Sequence, residues 1–564
     1  LKLNSEQSCY PWNVSMDGRL MGATEYATGN MAVIDAATGA CKPLTNYGQW
    51  NQKNGFVDQG AISRDGKWVA AWHYDGGRGG GIRVAGMDGA GERTVYARRT
   101  LQRTEWGIPN DWSPDGKTLL VQFEHEAEQR QGTTEFAAVS VADGSVRVLK
   151  SYQYTSRYRP KFLYSPDGKY VAWDYPPSAG NMDGDLIVMP SGGGSEIRVA
   201  ASPGHDKLFG WTADGHILFL SNRTGRNGLY LVRMRNGAQA GEPVELRANL
   251  PDISPVGIAS NGTLFYSEDV RVGNVMSADF DLAGGKAASA PAPVAARYPN
   301  STEAAAWSAD GRYYAFQRLT TDLDRTVFLI HDTAAGTMRE ISAPFRRQMR
   351  ARVTWSPDNR FLLTSGDTPG ATGIFRVDVA TGESRLLGQG GGVYLEWSRD
   401  GRHLYKAGGA TRNQILQEDT QTGQVRTVYG HDKLVRQFAL SLDGKLLAFV
   451  SGGWSDKEPC PLLVLDLASG QVRKIDEGMY SGTPSHMAWT PDGRALVALR
   501  IDGRAQTLWA ANADGSGARQ LDLRLGRSNI DNIEVHPNGS TVAWTVSRFD
   551  RSWWAMENLL PAGR

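Results

Sequence analysis

Apolar and polar residues alternate in short bursts along almost the whole chain, as in Lys117-Thr-Leu-Leu-Val-Gln-Phe123 and Lys445-Leu-Leu-Ala-Phe-Val450. A period of two sends successive side chains to opposite faces of a strand, so each burst predicts a short, half-buried β-strand. A recurrent motif introduces the bursts: an aromatic or apolar residue, then Ser/Thr-x-Asp-Gly-Lys/Arg. Its copies read VSMDGR (14–19), ISRDGK (62–67), WSPDGK (112–117), YSPDGK (164–169), WTADGH (211–216) and ASNGT (259–263). They continue as WSADGR (307–312), WSPDNR (355–360), WSRDGR (397–402), LSLDGK (440–445), WTPDGR (489–494) and VHPNGS (535–540). Successive turn positions are separated by as few as 42 residues (Asn359 to Gly401) and as many as 52 (Gly116 to Gly168). That period is a propeller blade, too long for a leucine-rich or ankyrin unit.

The motif has a chemical logic. Asp-Gly between two apolar runs is a hairpin signal, because Gly takes φ > 0 without steric cost. The aromatic residue before it is expected to face inward and fill the space between neighbouring sheets. A third strand follows the turn strand, as in Leu462-Leu-Val-Leu-Asp466, and a second Gly turn leads to a fourth, such as Val472-Arg-Lys-Ile475. Four short antiparallel strands make one blade. The predicted fold is therefore all-β: tandem propellers of about twelve four-stranded blades, most simply two six-bladed rings. The Pro/Ala-rich stretch 286–297 reads as the boundary, giving rings over 1–285 and 286–564. Blade twelve lacks a fourth strand of its own, and Leu1-Lys-Leu-Asn4 is a spare strand. The expected closure has residues 1–4 completing blade six and residues near 292–297 completing blade twelve, leaving no naked edge.

Composition narrows the function. Lys+Arg number 61 against 60 Asp+Glu, a net charge of +1, which removes the basic footprint of a nucleic-acid binder. No apolar run reaches the 18 residues a membrane-spanning helix needs, so no membrane insertion by this segment is expected. The 66 glycines fit a chain of many tight turns. Cys9 and Cys41 fall in the first repeat and admit a disulfide, with three buried free thiols as the alternative; Cys460 stands apart. The chain begins at Leu1 with no charged-then-apolar leader, which we read as a fragment of a longer protein.

These residues resemble the TolB-type, WD-like propeller repeat over nearly the whole chain. The resemblance implies fold strongly and function weakly, since such repeats serve scaffolds, sensors, lyases and peptidase gates. Two segments, Val139-Ser-Val-Ala-Asp-Gly-Ser-Val-Arg-Val-Leu149 and Trp554-Ala-Met-Glu-Asn-Leu-Leu-Pro561, resemble the extracytoplasmic double propellers of bacterial membrane-anchored kinases and regulators. That resemblance implies a periplasmic or cell-surface location, and a sensing or protein-binding role as part of a larger signalling protein.

The search for catalytic chemistry returns little. There is no Gly-x-Ser-x-Gly elbow, no GxxxxGK[ST] loop and no HExxH pair. No cofactor is expected. Asn181, Asp183 and Asp185, and Asp279 and Asp281, offer oxygen ligands for calcium, but neither run completes a calcium loop. The carboxylate pairs Glu124/Glu126 and Asp322/Asp324 are the candidates for acid–base work in a polysaccharide lyase or glycoside hydrolase, the alternative reading.

The loops carry more information. Blade-entry loops and second-to-third-strand loops share one face of a propeller, and they are rich here in Trp, Tyr and Arg. Such a set stacks on planar groups and clamps carboxylates. The first ring offers Trp50, Arg99, Trp106, Tyr154, Arg157, Tyr158, Arg159 and His205. The second offers Arg346, Arg347 and Arg350, within a run reaching Arg352, together with His431, Tyr480 and His486. The expected function is non-catalytic recognition of a protein, small molecule or glycan on the loop face of a ring.

Overall fold

A computed structural model of the chain describes residues 9–47, 55–74, 80–97, 104–126, 133–153, 160–175, 184–202, 204–320, 325–348, 351–368, 371–389, 395–398, 400–408, 413–430, 433–452, 460–477, 487–502, 505–522 and 529–559. All regular structure among them is β, and the sheets are antiparallel. The chain divides into two compact units: residues 1–270 with 550–564, and residues 271–549.

Each unit is a six-bladed propeller. In the first, the innermost strands are Cys9–Val14, Phe56–Ile62, Thr104–Trp112, Phe162–Tyr164, Asp206–Trp211 and Ile253–Ile258. Each packs beside the next, and the last returns to the first, which closes the ring. In the second unit, Thr302–Trp307, Thr354–Trp355, Leu395–Trp397, Val435–Leu440, Met487–Trp489 and Asn529–Val535 form the same closed cycle. Apolar faces of adjacent blades meet in separate cores; Trp72, Ile82, Val84, Leu119, Val121 and Phe123 fill one of them.

The motif is a hydrogen-bonded device. In blade three the Ser113 hydroxyl donates to Asp115 Oδ1 (2.6 Å) and accepts from the Thr118 amide (3.0 Å). Asp115 Oδ1 also accepts from the Lys117 amide (3.1 Å), and Gly116 sits at φ +70°. The same bonds recur around Asp17, Asp65, Asp167, Asp310, Asp400, Asp443 and Asp492. In each, hydroxyl and amide donors hold the carboxyl below its usual range. Asn359 replaces Gly in blade eight at φ +57°, a left-handed conformation that Asn tolerates.

The ends of the rings differ from expectation. The boundary expected at 285/286 lies instead at 270/271, with a second crossing at 549/550. The reason is that two strands run on without a turn. Strand Leu264–Asp281 gives residues 264–270 to blade six and 271–281 to blade twelve. Strand Thr541–Met556 gives 541–549 to blade twelve and 550–556 to blade six. In the first unit Arg551 pairs with Asp269, and in the second the Thr541 hydroxyl donates to Asp279 (2.6 Å). Ala292–Pro293 then pairs with Met276 and Ser277 beside blade twelve. The closing strand expected at 1–4 lies outside the described residues.

Candidate functional site

Five of the six inner strands of the first unit carry a β-bulge, at Trp12, Gln59, Asn110, Phe209 and Val256. A bulge bends its strand and re-aims one side chain. Gln59 takes φ +45°, and only glycine fits after it: a Cβ on Gly60 would stand 2.0 Å from the Ala70 carbonyl oxygen. Trp12, Gln59 and Asn110 are the bulged residues of the first three blades. They line a cavity of about 290 Å3 to which all six blades contribute, with Tyr10, Tyr26, Asp58, Lys161, Asp174, Lys207 and Arg551 among its walls. It opens on the face where the chain enters each blade.

The charges of this channel are constrained. Lys161 Nζ donates to the Trp12 carbonyl (3.1 Å). Burial pushes its ammonium down to about 8, against the pull of Asp174 and Asp111. Asp174 is 1% exposed. Asp111 pairs with Arg64 (3.1 Å) and accepts from the Tyr164 amide (2.9 Å), while burial raises its carboxyl. Lys207 Nζ lies 3.3–3.5 Å from the Ile253 carbonyl, Ser254 Oγ and Asp252. Arg551 is held over Tyr10, 5.8 Å from the ring centroid, which meets Tyr26 edge-on at 4.7 Å. Three cationic side chains thus face two carboxylates, two amides and an aromatic wall.

The second unit holds charge inside its ring in two places. Arg271 pairs with Glu303 and Asp531, each at 2.8 Å, with all three side chains at most 8% exposed. Arg347 also pairs with Glu303, and the Ser547 hydroxyl donates to Asp531. Nearer the motif turns, Arg352 contacts Glu396 (2.5 Å) and Glu534 (3.7 Å). A cavity of about 390 Å3 opens there, lined from all six blades and including Trp307, Trp355, Trp397 and Trp489.

The residues singled out from sequence are placed unevenly. Trp106 is half-buried, stacked on Tyr74 (centroids 5.9 Å), and stands among blade-packing aromatics rather than on the channel wall. His205 Nδ1 accepts from the Gly184 amide (2.9 Å), and its own amide donates to Asn222 Oδ1 (2.7 Å), which ties two loops together. Arg346 is exposed, in a strand paired with Asp367, and Arg347 enters the buried cluster at Glu303. Trp50, Arg99, Tyr154, Arg157, Tyr158, Arg159, Arg350, His431, Tyr480 and His486 lie outside the described residues, as do Asn181, Asp183, Asp322, Asp324 and the Glu126 side chain.

Of the calcium candidates, Asp185 pairs with Arg198 (3.4 Å) and Asp281 accepts from the Gly284 amide (2.9 Å). No group of three or more His, Cys, Asp or Glu side chains among the described residues is arranged to hold a metal. Glu124 accepts from Gln122 Nε2 (3.2 Å).

Sequence reading missed Lys161, Lys207, Glu396 and Glu534, and noted Arg352 only as the end of an arginine run. They share a signal: each is a charged residue set in or beside an inner strand, two to five positions before its motif's Ser, Thr or His. Such a position faces the channel, so a charge there is costly unless paired or used.

Comparison with known proteins agrees with this architecture. Residues 292–530 match the family described as the TolB beta propeller domain. A WD repeat-containing protein, SL1-17 of Schistosoma mansoni, is 34% identical over 121 residues, which is 21% of this chain and 37% of that protein. The chain therefore spans little more than a third of that relative's length. Among solved structures, a putative TolB from Agrobacterium tumefaciens shares 16% identity over 50% of this chain and 99% of its own (TM-score 0.37). An oligogalacturonate lyase from Vibrio parahaemolyticus shares 14% over 67% of this chain and 91% of its own (TM-score 0.34).

Proposed function

We propose, for a chain whose residues 292–530 match the TolB beta propeller domain family, that its role is recognition, with the channel mouth of the first unit as the binding site. One observation carries this reading: a single cavity to which every blade of that ring contributes, and in which cations and aromatic rings are gathered. Rigid strands hold the lining in place, so a ligand meets a preorganised surface. Lys161, Lys207 and Arg551 suit a carboxylate, and Tyr10, Trp12 and Tyr26 suit a ring or apolar face beside it. The ligand class that combines both is an acidic, aromatic-bearing segment of a partner protein.

The Cys9–Cys41 disulfide supports an extracytoplasmic setting, because such bonds persist in oxidising compartments. With the kinase- and regulator-like segments 139–149 and 554–561, it favours a sensor or interaction part of a larger bacterial signalling protein.

The test compares parent, Lys207→Met and Lys161→Met chains on arrayed acidic aromatic peptides and oligogalacturonates. The expected result is peptide binding weakened at least about tenfold in both variants, the loss of one charge-assisted contact. Binding left unchanged in both variants would overturn the site. Conversion of an oligogalacturonate to unsaturated product would replace recognition with lyase activity.

A further inference from the structure

We propose that the channel of the second unit binds an organic cation at the motif-turn face: the guanidinium or ammonium group of a partner's arginine or lysine side chain. This is a different ring and a different face from the site above, and it rests on separate residues.

The first ground is charge stoichiometry. Two carboxylates, Glu396 from blade nine and Glu534 from blade twelve, meet one guanidinium, Arg352 from blade eight. Arg352 is 9% exposed and is committed to Glu396 at 2.5 Å, with its Nη1 also donating to the Phe438 carbonyl (3.3 Å). Glu534 is left with a contact of 3.7 Å from its Oε1 to Arg352, and among the described residues that buried oxygen has no hydrogen-bond partner. A carboxylate in a low-dielectric channel is stable as an anion only with a charge partner. The site therefore lacks one positive charge.

The second ground is the wall. The cavity that Glu534 helps to line is also lined by Trp307, Trp355, Trp397 and Trp489 and by Pro357, Pro491 and Pro537, with Trp307 and Trp397 the less buried of the four indoles. Indole faces attract cations and tolerate the apolar stem of a long side chain. A divalent metal would want several oxygen ligands, and two carboxylates, one already paired, supply too few. The ring, the wall and the missing charge suit an extended cationic side chain entering from the motif-turn face.

Proton linkage gives the proposal a signature. Burial and the Glu396 charge push the Glu534 carboxyl up to about 8 despite Arg352, so the empty site stores a proton at neutral pH. The groups facing it are Arg352, Glu396, whose carboxyl burial also raises, and the buried Tyr314, whose hydroxyl is pushed up by burial and by Glu534. His536 is turned away, to the Gly311 carbonyl (3.0 Å) and the edge of Trp307. An incoming cation displaces the Glu534 proton to solvent.

The experiment titrates N-acetyl-arginine amide into the chain by calorimetry at pH 6, 7 and 8, with N-acetyl-citrulline amide as the neutral isostere and manganese chloride as the metal control. Affinity for the arginine probe is expected to rise about tenfold from pH 6 to 7, and again toward pH 8, with one proton released. Glu534→Gln, an isostere that needs no partner charge, should fold and lose the pH dependence and at least tenfold in affinity. Trp397→Leu should weaken binding while retaining the pH slope. Citrulline binding as tightly as arginine, manganese binding in preference, affinity independent of pH, or full binding by Glu534→Gln would each overturn the proposal.

Discussion

The indole Nε1 of Trp489 donates to the main-chain carbonyl of Ala439, 2.9 Å away in the preceding blade. The motif tryptophan is thus a staple between blades as well as a filler. Trp112 reaches Ala61 (3.0 Å), Trp211 reaches Leu163 (3.3 Å) and Trp355 reaches Ala306 (2.9 Å) in the same way. Trp307 and Trp397 hold the same motif position, but their indole nitrogens are buried without an acceptor. Trp489→Phe should therefore cost about 1 kcal/mol more than Trp397→Phe, the worth of one buried hydrogen bond. Urea unfolding of the two variants, followed by tryptophan fluorescence, measures the difference.

Acid should unfold the blades through their turns. The eight motif aspartates named above have carboxyls below their usual range because the folded turn donates hydrogen bonds to them. A carboxyl depressed on folding stabilises fully above its unfolded value, near 4, and loses that contribution as pH falls. Asp17, held at about 2, marks the lower end of the window. The motif turns should contribute fully from pH 7 to 5 and lose that contribution between about pH 4 and 2, where the melting temperature should fall steeply. Asp115→Asn, which cannot ionise, should be less stable at pH 7 and match the parent at the acid end of that window.

The buried cluster of the second unit predicts a large, asymmetric penalty. Removing Glu303 would leave Arg271 and Arg347 short of a shared anion, and Glu303→Ala should cost about 3–5 kcal/mol. Replacing Arg271 and Glu303 together by leucine and methionine should cost less than the sum of the single changes, since no lone charge is buried. Chemical denaturation of the two single variants and the double variant closes the cycle.

The disulfide should matter even though it clips only the first blade. Cys9 and Cys41 are separated by 32 residues, and opening that loop in a Cys9→Ser, Cys41→Ser chain should cost about 4 kcal/mol in the chain-entropy account. Thermal unfolding with and without reductant checks it: the parent should shift on reduction and the double variant should not.

What was legible from sequence was everything that a local rule enforces. The Asp-Gly turn and the alternation around it specify strands, blades and their number, because φ at Gly116 and the bonds of Ser113 and Asp115 are settled within six residues. The inward-facing aromatic was legible for the same reason. The bond from Trp489 to Ala439 was not, since its partner lies 50 residues away.

Tertiary structure alone decided where the rings end and where the charges meet. The crossings at 270/271 and 549/550 fall inside continuous strands, 264–281 and 541–556, with no Asp-Gly turn to mark them. The charges of the second unit's motif-turn cavity likewise come from different blades. Arg352, Glu396 and Glu534 lie up to 182 positions apart, and each alone is an ordinary charge in or beside a strand. Ring closure brings them within one ion contact, where low dielectric makes their unequal number matter.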